Sequence, residues 1–193
     1  MDRLIKNILA LLVKNRELVS RVLSYWEPAE LEKGVLTLHQ DLINHELKPL
    51  LLEQFHQNLK DLRISFESGA IDLDLELIQK QVGLVQARFR LTILEFRWIE
   101  ASHTILINYQ EDVSSKDGLL GKMILAAAGF SRKNFVQMGI EKMDLLGVKA
   151  SRDVVELNLD QIPETARLPL DRVSLRYLDC QQGKLRFSFT VLG

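Results

Sequence analysis

The chain predicts an α+β fold: a strongly curved antiparallel sheet wrapped on a long kinked helix, with an amphipathic helix before it and a helix pair inserted between strands. Three patterns carry this expectation. Residues 71–93 read IDLDLELIQKQVGLVQARFRLTI, in which Leu73, Leu75 and Leu77 alternate with Asp72, Asp74 and Glu76. Val85, Ala87, Phe89, Leu91 and Ile93 then alternate with Gln86, Arg88, Arg90 and Thr92. Period two marks half-buried strands. Pairing Asp72 with Arg90 and Asp74 with Arg88 also pairs Leu73 with Phe89 and Leu77 with Val85, so both faces select one hairpin register. The second pattern is a leucine-rich stripe interrupted by Pro49. The third is the element order: helix, kinked helix, meander, helix pair, strands. That order gathers the helices on one side of a sheet.

The elements follow in order. Leu4, Ile8, Leu11, Leu12, Leu18, Val22 and Trp26 recur at steps of three, four and six, predicting a helix over 3–26. Lys6, Lys14, Arg16 and Arg21 make it locally basic. Pro28 ends it, because the residue before proline avoids the helical region. This divides the chain into 1–28, the amphipathic helix, and 29–193, a single α+β domain. Residues 29–38 form a connector, with a short strand as the alternative, turning at Gly34. A second helix begins at Thr37, with Thr37 and Gln40 as a capping box. Its stripe runs through Leu42, Ile43, Leu47, Leu50, Leu51, Phe55, Leu59 and Leu62, and it is helical over 39–61 with Leu47, Leu51 and Phe55 buried. Pro49 should kink it by removing a backbone donor.

Ile64 and Phe66 mark the next strand, ended by Ser68-Gly69. After the hairpin, Leu94, Phe96 and Trp98 change parity from Leu91 and Ile93, the mark of a β-bulge. Ile105, Ile107 and Tyr109 give another strand after a turn near 101–103. Asp117 and Ser131 cap two short helices, ended by Gly129 and Gly147. Val155, Leu157 and Leu159 alternate, as do Val173, Leu175 and Tyr177. Gln182-Gly183 turns into the last strand, with Leu185, Phe187, Phe189 and Val191.

The leucine-rich helix, the strand ending at Ser68-Gly69, the long acidic hairpin, the helical excursion and the final hairpin resemble the tubular lipid-binding superfamily over about residues 35–192. That resemblance implies a curved sheet enclosing an apolar tunnel for lipid. The chain departs from exported or lipid-anchored bacterial relatives in having no export signal or lipidation cysteine near Met1, and it has no second repeat.

Composition excludes several functions. The 193 residues are 47% hydrophobic and 26% charged, with net charge −1. So even a balance does not indicate a nucleic-acid partner. Cys180 is the single cysteine, ruling out an intrachain disulfide or a cysteine zinc site. The run Ile8–Val13 is too short to span a bilayer. His45-Glu46 opens a zinc-protease pattern, but Pro49 stands where its second histidine belongs. Gly118 to Met123 lacks the spacer and the hydroxyl residue of a phosphate loop. Asp72, Asp74 and Glu76 are better explained by the facing arginines than by a cation. Asp41 and His45, four apart, lack a nearby nucleophile. Asp179 should raise the Cys180 thiol's pKa and make it a poor nucleophile.

The chain therefore reads as non-catalytic, with no metal and no cofactor. The leading expectation is binding of a lipid or other apolar small molecule between the curved sheet and the helix. Leu47, Leu51 and Phe55 would line that cavity from the helix, and Leu75, Ala87, Phe89 and Leu91 from the sheet. Met123 and Met138 would close one end. The alternative is a structural or interaction module with a filled core, which self-associates or docks through residues 3–26. That basic helix could also touch an anionic membrane. The expected location is cytoplasmic, with a peripheral membrane contact as the variant.

Overall fold

The computed structural model describes residues 21, 24–79, 83–99, 102–116, 135–137, 140, 146–162 and 172–192. Among these residues nine antiparallel strands form one sheet: β1 (Val35–His39), β2 (Leu59–Glu67), β3 (Ala70–Gln79), β4 (Gly83–Ile99), β5 (Ser102–Ser115), β6 (Val148–Ser151), β7 (Val154–Asn158), β8 (Val173–Gln181) and β9 (Lys184–Val191). The order is β1-β9-β8-β4-β5-β7-β6, with β2 and β3 attached beside β4. Strand β4, 17 residues long, is the common member. Its first half pairs with β3, its far end meets β8 at Trp98 and Leu175, and β5 runs along its other edge.

The hairpin register is the expected one. Asp72 faces Arg90, Asp74 faces Arg88, Leu73 faces Phe89 and Leu77 faces Val85. Val85, Ala87 and Phe89 are buried. The parity change is also a bulge: Ile93 pairs with Ile107 and Glu95 with Leu106, leaving Leu94 as the extra residue.

The expected fold class is overturned, because the described chain is chiefly this sheet, with short helices and no long helix inside it. The helix expected over 39–61 instead comprises a six-residue π-helix, Leu42–Leu47, and a seven-residue α-helix, Lys48–Gln54. A turn follows, and Leu59 and Leu62 belong to β2. Leu62 fits both a helical stripe and the alternation Leu62, Ile64, Phe66. Pairing with β3 from Leu59↔Leu77 to Glu67↔Ala70 settles it as strand. In place of the expected kink in a long helix, wide turns precede Pro49, and the Lys48 N–H donates to Ile43 O, five residues back. The expected capping box does not form. Thr37 lies in β1 and its hydroxyl donates to Glu30 at 2.6 Å, while Gln40 Oε1 accepts the Phe66 N–H at 3.1 Å.

The connector contains a helix that periodicity missed, α1 (Pro28–Glu32), which Pro28 begins from its first turn. The strand alternative for 29–38 is realised as β1, after Gly34 at φ +69°. Most of the helix expected over 3–26 lies outside the described residues, where Arg21 and Ser24 are helical. The helix pair also lies largely outside them, though residues 135–137 are helical.

The core sits where two hairpins meet. Phe66, Cys180 and Leu185 pack together with Leu38, Ile43, Ile64, Ile71, Ile93, Tyr177 and Phe187 around them. The Gly69 N–H donates to Cys180 O at 2.9 Å and the Gly183 N–H to Phe66 O at 2.8 Å, tying the β2–β3 turn to the β8–β9 turn. Cys180, expected in the final turn, is a buried β8 residue.

The helical segment has a definite task. Asn44 Oδ1 accepts the Ile64 N–H at 2.9 Å and Asn44 Nδ2 donates to Ile64 O at 2.7 Å. With Gln40 on Phe66, two amide side chains four residues apart occupy the edge of β2 as a neighbouring strand would. An uncovered edge would otherwise be a template for pairing with other chains. Asn44→Ala should cost about 1–3 kcal/mol in urea unfolding, because it leaves a donor and an acceptor unmatched. A loss under about 0.5 kcal/mol, the size of an ordinary surface change, would show that water replaces the amide.

Candidate interaction surface

Strand alternation puts most of the charged residues of β2 to β5 on one face, Glu111 opposite Phe89 being the exception. The registers join Arg63 to Asp74, Asp74 to Arg88, and Arg88 to Asp112, giving a row of alternating sign across four strands. The next row is Ser65, Asp72, Arg90 and Gln110, and the row on the other side is Asp61, Glu76, Gln86 and Ser114. An open groove of about 670 Å³ lies over these rows. Its lining is mostly charged and amide side chains, with Leu75 and Phe89 contributing.

Most of these charges are matched internally. Arg88 Nε lies 3.3 Å from Asp74 and Arg90 Nη1 3.3 Å from Asp72. Lys48 lies 2.7 Å from Asp61, while Lys60 and Lys116 both reach Glu76. Lys48, by its hydrogen bond, holds the Asp61 carboxyl below the usual range, and Lys116 does the same for Glu76. Arg63 and Asp112 end the central row, and among the described residues neither side chain has a hydrogen-bond or ion-pair partner. Both are exposed.

The opposite face is mainly apolar, and its one carboxylate in these rows, Glu111, is hydrogen-bonded. Glu111 accepts the backbone N–H groups of Phe135 and Val136 at 2.6 and 3.1 Å, and the Phe135 ring lies 6.3 Å from Phe89. Residues 135 and 136 thus lie against this face at Phe89 and Glu111.

Of the expected ligand-lining residues, Leu75, Ala87, Phe89 and Leu91 share one face of the β3–β4 hairpin. Ala87 pairs with Leu75, and Phe89 and Leu91 follow it at the next two same-face positions of β4. Leu47, Leu51 and Phe55 are half-buried rather than buried, on a helical segment that packs on β1 and β2. Met123 and Met138 lie outside the described residues. Periodicity found the charges of β3 and β4 but missed Arg63 and Asp112. Arg63 alternates with Leu62 and Ile64, a signal that was present once residue 62 was read as strand.

Two further clusters carry structure. His103, buried at the β4–β5 turn, donates from its backbone N–H and from Nδ1 to the two Asp160 oxygens at 2.9 and 2.6 Å. Its ring stands edge-on to Trp98. Burial alone would raise the Asp160 pKa, but the His103 hydrogen bonds outweigh it and lower it. Arg186 grips Asp179 through both Nε and Nη2 and lowers that carboxyl too. The Cys180 thiol is pushed up, first by burial and then by Asp179.

Asp61, Glu76, Asp160 and Asp179 therefore have lower pKa values folded than unfolded. Such groups stabilise the fold above the ordinary carboxylate range, near pH 4, and the contribution is lost as pH falls through the lower folded values. Urea unfolding at a pH series from 7 to 3 should show the fold weakening below about pH 4. Unchanged stability at the acid end would contradict these pairings.

No group of three or more His, Cys, Asp or Glu among the described residues could hold a metal ion. No helix among them is long and apolar enough to cross a membrane. No protein-family model, curated protein or solved structure matches the chain.

Proposed function

We propose that this chain is a non-catalytic interaction module that docks a macromolecular partner through the charged face of β2 to β5. The observation that carries this is the four-strand row of alternating charge, whose two end side chains, opposite in sign, are without partners among the described residues. A small ion finds nearly every counter-charge here already engaged. A partner with its own ordered charges can match the row's ends, and charge matching of this kind sets register and specificity.

The apolar-ligand reading required a cavity between helix and sheet. Among the described residues the helical segment covers the β2 edge instead, and the open groove is polar. Native mass spectrometry of the purified chain, with organic extraction of the same sample, tests the choice. The module reading expects the bare polypeptide mass and no stoichiometric lipid in the extract. A lipid at one copy per chain would replace it with the carrier reading.

A further inference from the structure

We propose that the partner of the charged face is a second copy of this chain, docked face to face about a two-fold axis running parallel to the strands between β3 and β4. This rests on the reading of that face as an interaction surface.

The argument is one of sign and position. The central row reads Arg63, Asp74, Arg88, Asp112: plus, minus, plus, minus. Turning a copy over about an axis along the strands reverses the row while keeping its level. Arg63 then meets Asp112 of the copy, and Asp74 meets Arg88, each contact occurring twice as an isologous interface requires. The adjacent rows agree. Asp72 meets Arg90, Ser65 meets Gln110, and Glu76 meets Gln86, so no like charges oppose each other. The other in-plane axis, along the row, would set Arg63 on Arg63 and Asp112 on Asp112. The charge pattern thus selects one of the two face-to-face arrangements.

The unmatched ends add a distance. Arg63 on β2 and Asp112 on β5 are three strand spacings apart, about 14 Å. A partner satisfying both must offer the opposite charges at that same separation, and the inverted copy does so by construction. The face is polar and spans only four strands, which places the contact among small, weak interfaces. Its attraction comes from exposed charges, so it should weaken with salt.

Sedimentation velocity of the full chain, loaded from roughly 5 to 200 µM, covers that weak range. A reversible dimer is expected at low salt, receding at high salt. Arg63→Glu and Asp112→Arg should each weaken it by about tenfold or more, because like charges then oppose each other twice. The double variant Arg63→Glu/Asp112→Arg restores the pairing in reverse and should return to within about threefold of the parent. Thermal unfolding of each variant checks its fold. If a reversal destabilises the chain, the neutral pair Arg63→Gln and Asp112→Asn takes its place, each expected to weaken association about threefold. A monomer throughout, a dimer indifferent to these substitutions, or a folded double variant as weak as the single reversals would overturn the proposal. A monomer that yields no lipid on extraction would overturn the second-copy partner alone, whereas bound lipid would overturn the module reading itself.

Discussion

Phe66→Ala should destabilise the fold by about 3–5 kcal/mol, the usual range for removing a buried aromatic ring. Phe66 is 1% exposed, the side chain at the centre of the Phe66, Cys180 and Leu185 cluster. Its backbone is held from both sides: its N–H by Gln40 and its carbonyl by Gly183. The flanking walls therefore cannot easily collapse into the space left by the ring, which puts the cost toward the upper end. Phe66→Leu keeps much of the volume and should cost clearly less. Urea unfolding with fixed slope reads both values. A loss under about 1.5 kcal/mol for the alanine variant, a cost typical of milder core changes, would mean that the two hairpins do not meet around this ring.

Gly147→Ala is the second large effect. Gly147 sits at φ +77°, where a side chain is strained at a cost of about 1–3 kcal/mol. An added Cβ would lie 2.3 Å from Asn158 O and 2.8 Å from Ile162 Cγ1, well inside contact distance. The Gly147 carbonyl also accepts the Asn158 N–H at 2.6 Å, so moving it apart breaks the link that starts the β6–β7 pair. Gly69→Ala is the control, at φ +75° with nothing within 4 Å of the added carbon. Both variants carry the backbone strain, and only Gly147→Ala carries the clash. The difference between them in thermal unfolding isolates the packing component. Equal losses would show that β6 and β7 separate freely at this point.

What could be read from the residues alone depended on whether the information was local. The β3–β4 register was legible because Asp72, Asp74, Arg88 and Arg90 on one face and Leu73, Leu77, Val85 and Phe89 on the other demand the same alignment. The Leu94 bulge was legible because a parity change inside a strand has few other causes. The helix boundary was not. Leu62 fits a period of 3.6 as well as the period-two alternation Leu62, Ile64, Phe66, and the arbiter is its pairing with Leu75 across a turn. Strand β1 was legible only as an alternative, since its partner, running from Ser188 to Lys184, lies about 150 residues away. The charged face was half legible for the same reason. Alternation shows that Arg63 and Asp112 point to one side of their strands, but only the strand order places them at the two ends of one row. The direction of the Cys180 shift was legible from Asp179, whereas its main cause, burial in the hairpin junction, was not.

The central claim is that the apolar face of the β3–β4 hairpin is a filled core and the charged face is the working surface. Ala87→Leu tests it most directly. Ala87 is wholly buried, opposite Leu75 on one side and Val113 on the other, with Val85 and Phe89 flanking it on the same face. A filled core predicts that three added carbons overpack it and cost about 1–3 kcal/mol in urea unfolding. A variant as stable as the parent, or more stable, would show vacant volume beside Ala87 and would contradict the account.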